Sequence, residues 1–219
     1  YKLLHFVKIT MHENLKYKIA LTLIPNIGDI LAKRLVAYCG SPQAVFEEKK
    51  SSLEKIPGIG HAYAGSVVNQ TVFSRAEEEI KFIEKNNITP LFYLDANYPK
   101  RLTHCEDSPV MLYYKGNADL NLPKIISIVG TREATDYGKK LCEKLIADLA
   151  VYNVMIVSGL AYGIDIYAHK AALEHSLPTV CTLAHGLDRI YPSAHQVTAQ
   201  KMLEKGGWLT DFTSTTAPD

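Results

Sequence analysis

Three short runs in the second half of the chain have the composition to hold a ligand. They are Gly130-Thr131-Arg132-Glu133-Ala134-Thr135, Ser158-Gly159-Leu160-Ala161-Tyr162-Gly163-Ile164-Asp165 and Ala184-His185-Gly186-Leu187-Asp188-Arg189-Ile190-Tyr191-Pro192. In the middle run Ser158, Gly159 and Gly163 surround the start of a helix. Glycine lets a ligand approach the backbone, and a helix start carries unpaired N–H groups and a partial positive charge. That chemistry suits an anion, phosphate first. Asp165 falls in the first helical turn, where it either partners the helix dipole or touches the ligand. Arg132 follows a strand end directly; it can grip a phosphate with two N–H groups, stack on a base, or close a structural salt bridge. His185 and Tyr191 can stack on a base, and Tyr191-Pro192 can equally be a packing pair.

Catalytic chemistries find little footing. The glycine spacing is not GxGxxG, and no Walker A segment occurs. No serine stands in a G-x-S-x-G elbow. His169, His175, His185 and His195 are scattered without metal-ligand spacing. Cys39, Cys105, Cys142 and Cys181 are far apart and form no CxxC pair, which predicts free thiols in a reducing cytoplasm. The formal net charge is only +1, so a nucleic-acid site must be a local pocket, not a basic face. No apolar run approaches the ~20 residues of a membrane span. Tyr1 to Thr10 is too short and interrupted for a secretory signal, and Met11 is a candidate start.

The elements that position these runs fall into two textures. With 219 residues, 47% hydrophobic and 21% charged, the chain suits one large globular domain or two small ones. Residues 11–88 read as helical. Helical spacing covers Leu15 to Leu21, a second helix runs from Ile30 to Tyr38 with Gly40 after it, Ser41-Pro42 opens a short third, and a long one spans about Val72 to Asn86. The pattern Ile-Pro-x-Ile-Gly occurs twice, at 24–28 and 56–60. It resembles a helix-hairpin-helix turn whose exposed N–H groups take a DNA phosphate; it also fits plain tight turns in a helical bundle. Residues 89–123 connect, with Val110 to Tyr114 as a strand. From Lys124 strands and helices alternate: strands at 125–129, 154–157, 179–183 and about 208–212, helices at about 137–151, 161–175 and 194–205. Near-continuous Val/Ile strands imply a parallel sheet covered on both faces, and the alternation implies a doubly wound α/β fold. Only four such strands are laid down, which is short for this architecture. Ligands bind such sheets beyond the carboxyl ends of the strands, where all three runs lie.

Ile128-Val129-Gly130-Thr131-Arg132, Thr135-x-Tyr137-Gly138, Val157 to Asp165, Ala168-His169 with Ala171 and Leu173, and Gly186-Leu187-Asp188-x-Ile190-Tyr191-Pro192 resemble the DprA/Smf family in order and spacing. Tyr98-Pro99-x-x-Leu102 and Ser108 to Tyr113 resemble its lead-in segment, and residues 11–88 its sterile-alpha-motif-like or helix-hairpin-helix domain. The resemblance implies a Rossmann-like domain at 124–219 that binds and protects single-stranded DNA, loads a RecA-type recombinase in natural transformation, forms homodimers, uses no cofactor or metal, and is not an enzyme. It assigns the DNA or phosphate pocket to Gly130, Thr131, Arg132, Ser158, Gly159, Leu160, Ala161, Gly163, Asp165, His169, Gly186 and Tyr191. The family continues with a Phe-Pro-x-Arg-Asn-Arg segment and further strands not found here, and Thr210-Asp211-Phe212 replaces its usual Ser/Thr-Glu-Phe. Part of the DNA site and of the dimer surface is therefore expected to lie outside these 219 residues. A second reading is a nucleotide-processing enzyme related to the phosphoribohydrolases, although their Pro-Gly-Gly-x-Gly-Thr loop is absent.

Overall fold

The computed structural model describes residues 2–218, with side-chain surroundings from His12 onward. The side chains of Tyr1 to Thr10 and Met11, and with them the question of the native start, lie outside the described residues. The chain divides into two compact units, one of residues 1–86, 92–96 and 100–111, the other of residues 87–91, 97–99 and 112–219.

The first unit is helical: α1 (Lys2–Leu23), α2 (Asp29–Cys39), α3 (Pro42–Glu47), α4 (Lys50–Leu53), α5 (His61–Val68) and α6 (Phe73–Asn86). Ser41 caps α3 by accepting from the Ala44 N–H at 3.1 Å, with Pro42 at the first helical position. Gly40 ends α2 in the left-handed conformation that glycine tolerates best. The repeated sequence is also a repeated structure. Asn26 and Gly58 both take positive φ (66° and 80°), Ile27 and Ile59 donate back to Ile24 and Ile56, and Gly28 and Gly60 lead into α2 and α5 without a side-chain cap. Ala32 and Ala64, then Leu35 and Val67, fill matching buried positions. Ile19, Leu21, Val45, Leu53 and Ile83 of the same unit are also buried, while Tyr17, Phe46 and Phe73 form a ring cluster with centroids 5.0–5.8 Å apart.

The second unit is built on a six-stranded sheet of order β1-β2-β6-β5-β4-β3. Its strands are β1 (Thr89–Phe92), β2 (Met111–Gly116), β3 (Ile125–Ser127), β4 (Met155–Ser158), β5 (Thr179–Thr182) and β6 (Gly207–Thr210), with α7 (Asp136–Leu149), α8 (Ile164–Glu174) and α9 (Gln196–Met202) between them. Strands β3 to β6 are mutually parallel, as the alternating pattern implied. The sheet is wider than the four expected strands because β1 and β2 join it, β2 antiparallel to β6 with Tyr113 opposite Thr210. Cys142 and Ile146 of α7 meet Val154 and Ile156, and Ala168, Ala171 and Ala172 let α8 lie close over the sheet. Each large aliphatic buried there contributes about 1.5–3 kcal/mol. Trp208 is buried, and its indole N–H donates to the Ala199 carbonyl at 2.8 Å.

Candidate nucleic-acid interface

Strands β3, β4 and β5 end at one edge of the sheet, and the three glycine-bearing runs leave from there. A cleft forms among them. The loop after β3 contributes Arg132, and the loop after β4 contributes Gly159, Ala161 and Tyr162. The loop after β5 contributes Leu183, Ala184, His185, Tyr191 and Pro192. Arg132 is exposed, and Tyr162 and Tyr191 are 51% and 55% exposed, so charge and two aromatic faces are open to a ligand.

The remaining candidates brace these loops. Gly163 has φ +78° and lies so close to the first loop that a Cβ would fall 2.0 Å from the Thr131 carbonyl oxygen. That same oxygen accepts from the Ile164 N–H at 3.1 Å, and the Thr131 hydroxyl accepts from the Glu133 N–H. Gly130 is close-packed too, since its Cβ would meet the Ile164 side chain at 2.6 Å. Ser158 is buried with its hydroxyl donating to the Ile128 carbonyl at 2.6 Å, which ties β4 to the end of β3. Leu160 is buried at φ +65°, a strained backbone for a branched residue, and its carbonyl is held by His195 Nδ1 at 2.7 Å. His195 in turn stacks edge-on against Tyr162, ring centroids 4.9 Å apart. Gly186 donates to the Thr216 carbonyl at 3.2 Å.

Two placements change the electrostatic picture drawn from sequence. The Gly159 N–H, offered to an anion, donates to Asp165 Oδ2 at 3.1 Å, and the buried Asp165 carboxylate lies at the start of α8. With Ile164 also donating to Thr131, two of the amides expected to face a phosphate are already taken from within. His169 is buried on α8 and does not line the cleft: its Nδ1 pairs with the Thr179 hydroxyl at 2.7 Å, and Thr179 donates onward to the Ile156 carbonyl. Burial, reinforced by nearby His195 and opposed by a hydrogen bond to the Ser158 backbone, pushes the His169 imidazole down to about 3. It is a neutral strut between α8 and β5. Tyr162 was not singled out by sequence; an aromatic residue inside a glycine run beyond a strand end was the available signal. Among the described residues no group of three or more His, Cys, Asp or Glu is arranged to hold a metal, all four cysteines are free, and no helix is long and apolar enough to cross a membrane.

Comparisons with known proteins agree with this architecture. Protein Smf of Synechocystis is 28% identical over 208 residues, which cover 93% of this chain and 52% of that protein, so the chain spans about half its relative's length. The crystal structure of DNA processing protein A from Streptococcus pneumoniae superposes with a TM-score of 0.70 at 28% identity, covering 93% of this chain and 70% of that one. The Helicobacter pylori DNA processing protein A, whose structure describes a single-stranded DNA binding mode, superposes with a TM-score of 0.54 at 32% identity over 60% of this chain and 59% of that one. Residues 89–219, which include all three loops and every strand of the sheet, match the family model of DNA recombination-mediator protein A, and the chain belongs to that family, DprA/Smf.

Proposed function

We propose that this chain binds single-stranded DNA in the cleft at the carboxyl ends of β3, β4 and β5, and acts as a binding protein without catalysis of its own. The observation that carries this reading is the convergence of exposed Arg132, Tyr162 and Tyr191 on one cleft in a chain otherwise nearly neutral. Arg132 supplies the phosphate contact, and the tyrosines supply stacking faces that tolerate any base. Gly130, Thr131, Ser158, Leu160, Gly163, Asp165 and Gly186 hold the loops in place, with Gly159 and Ala161 in the cleft wall. As a recombination mediator in the cytoplasm, the protein would hand the strand to a RecA-type recombinase during DNA uptake and work as a homodimer. In domain terms, we assign residues 11–88 to the helical module and 124–219 to the DNA-processing domain, with the connecting residues 89–123 supplying β1 and β2 to the same sheet.

The test is fluorescence anisotropy with a labelled oligothymidine, against duplex and free nucleotides, at two salt concentrations. Binding is expected for the single strand alone, weakening with salt and falling at least about tenfold in Arg132→Ala. Saturable mononucleotide binding without single-strand binding would replace this reading with the nucleotide-enzyme one.

A further inference from the structure

We propose that His195 is a positioning residue for base stacking: it ties the loop that carries Tyr162 to the loop that carries Tyr191, and so fixes the spacing of the two aromatic faces. The inference deepens the single-strand reading above and rests on it.

His195 closes the short turn Ser193–His195 that follows Tyr191-Pro192, and it is 7% exposed. Its backbone N–H donates to the Pro192 carbonyl at 3.0 Å, which binds it to the loop after β5. Its Nδ1 lies 2.7 Å from the Leu160 carbonyl oxygen, in the loop after β4. A carbonyl oxygen only accepts, so Nδ1 carries the hydrogen and donates it. The imidazole ring meets the Tyr162 ring edge to face, with centroids 4.9 Å apart and planes at 68°. That is a favoured aromatic arrangement, and it limits how the phenol ring turns. One buried residue therefore grips both loops, and each loop carries one of the tyrosines that line the cleft.

The bond to Leu160 has strain to hold. Leu160 is buried at φ +65°, a backbone conformation that a branched residue keeps only where its surroundings over-determine it. The imidazole N–H at its carbonyl is one such determinant. Without that donor the carbonyl loses its partner and the strained residue is free to relax. Tyr162 stands two residues further on and is 51% exposed, so a relaxed Leu160 lets its ring leave the line of the cleft. A base gains most from a ring that is already in place, because a wandering ring must be ordered when the strand binds. Removing the His195 donor thus acts on stacking and leaves the phosphate contact of Arg132 alone.

The test is anisotropy of a fluorescent oligothymidine with the 219-residue chain, His195→Asn and His195→Leu, each checked for folding by urea denaturation. Asn places an amide N–H near the position of Nδ1, whereas Leu has the same branched outline and no donor. His195→Leu is expected to bind about tenfold more weakly, and His195→Asn within about threefold of the native chain. In a Tyr162→Ala chain, which has already lost the ring, His195→Leu is expected to cost no more than about twofold further. The slope of log Kd against log salt is expected to stay native in His195→Leu, because the phosphate contacts are untouched. Native affinity in folded His195→Leu overturns the proposal, as does an equal loss in His195→Asn or a full loss that persists in Tyr162→Ala. If His195→Leu fails to fold, His195→Asn decides alone, and binding weakened about tenfold overturns the proposal. A His195→Asn chain that does not fold overturns it too, since the residue then serves the fold at large. If Tyr162→Ala leaves binding unchanged while Arg132→Ala weakens it, the single-strand reading stands and the positioning role falls. If the native chain does not bind the oligomer, both fall.

Discussion

Replacing Gly163 by alanine should damage the cleft without removing any side chain from its wall. Gly163 has φ +78° and ψ −133°, a region L side chains rarely enter, and holding one there costs about 1–3 kcal/mol. The new Cβ would lie 2.0 Å from the Thr131 carbonyl oxygen and 2.6 Å from the Arg132 carbonyl carbon and oxygen. Restoring a tolerable separation of about 3.0 Å requires the loop to retreat by roughly 1 Å. The loop cannot do so freely, because Thr131 O accepts from Ile164 N at 3.1 Å; breaking that bond adds about 0.5–1.5 kcal/mol. Together the strain and the lost bond come to about 3 kcal/mol, and Arg132 moves with the loop. Urea denaturation should record that loss, and Gly163→Ala should bind oligothymidine more weakly than the native chain. Gly28→Ala is the control, since no atom lies within 4 Å of its Cβ position and its φ is ordinary. Stability of Gly163→Ala within 1 kcal/mol of the native chain, with DNA binding intact, would refute the packing argument.

His169 makes stability fall in acid. Its folded pKa, pushed down to about 3, lies below the unfolded value of about 6.5, so the unfolded chain takes up a proton that the folded chain refuses. Its contribution is complete above pH 6.5 and declines by about 1.4 kcal/mol per pH unit down to about pH 3, or about 2–3 kcal/mol by pH 4.5. Urea denaturation across pH 7 to 4.5 should show a shallower decline in His169→Gln; parallel curves would remove His169 as the cause. Among the thiols, burial pushes Cys181 and Cys142 up, while Cys105 is exposed. A maleimide followed by mass spectrometry should label Cys105 first and Cys181 only as the chain unfolds. Early labelling at Cys181 would contradict its burial within the sheet, on the strand beside β6.

The elements were legible where local chemistry decides them. Val/Ile runs gave β3, β4 and β5, and Ser41-Pro42 marked the start of α3 to the residue. The short helices α4 and α5 were not, because four and eight residues carry too little periodicity to stand out. The pairing of β2 with β6 joins Tyr113 to Thr210 across almost a hundred residues, and no local pattern encodes a partner. At the site, sequence located the loops and misjudged what each polar group does within them. Ser158, Asp165 and His169 have side chains a ligand could use, yet each is claimed by a neighbour, Ile128, Gly159 and Thr179 respectively. Such claims depend on which way a side chain turns once the sheet has formed.

That internal bonding has a functional consequence. A loop whose amides waited for a phosphate would be loose until the ligand arrived, and binding would bear the cost of ordering it. Here Asp165, Thr131 and His195 have already ordered the loops, and two amides of the expected anion cradle, Gly159 and Ile164, are spent on that order. What stays open is one exposed guanidinium and two aromatic faces. None of these reads a particular base, and all of them need the strand to be unpaired or its backbone to be within reach. Under the proposed function, a rigid cleft of that composition would trade sequence specificity for recognition of the single-stranded state, which is what a mediator that must accept any incoming strand requires.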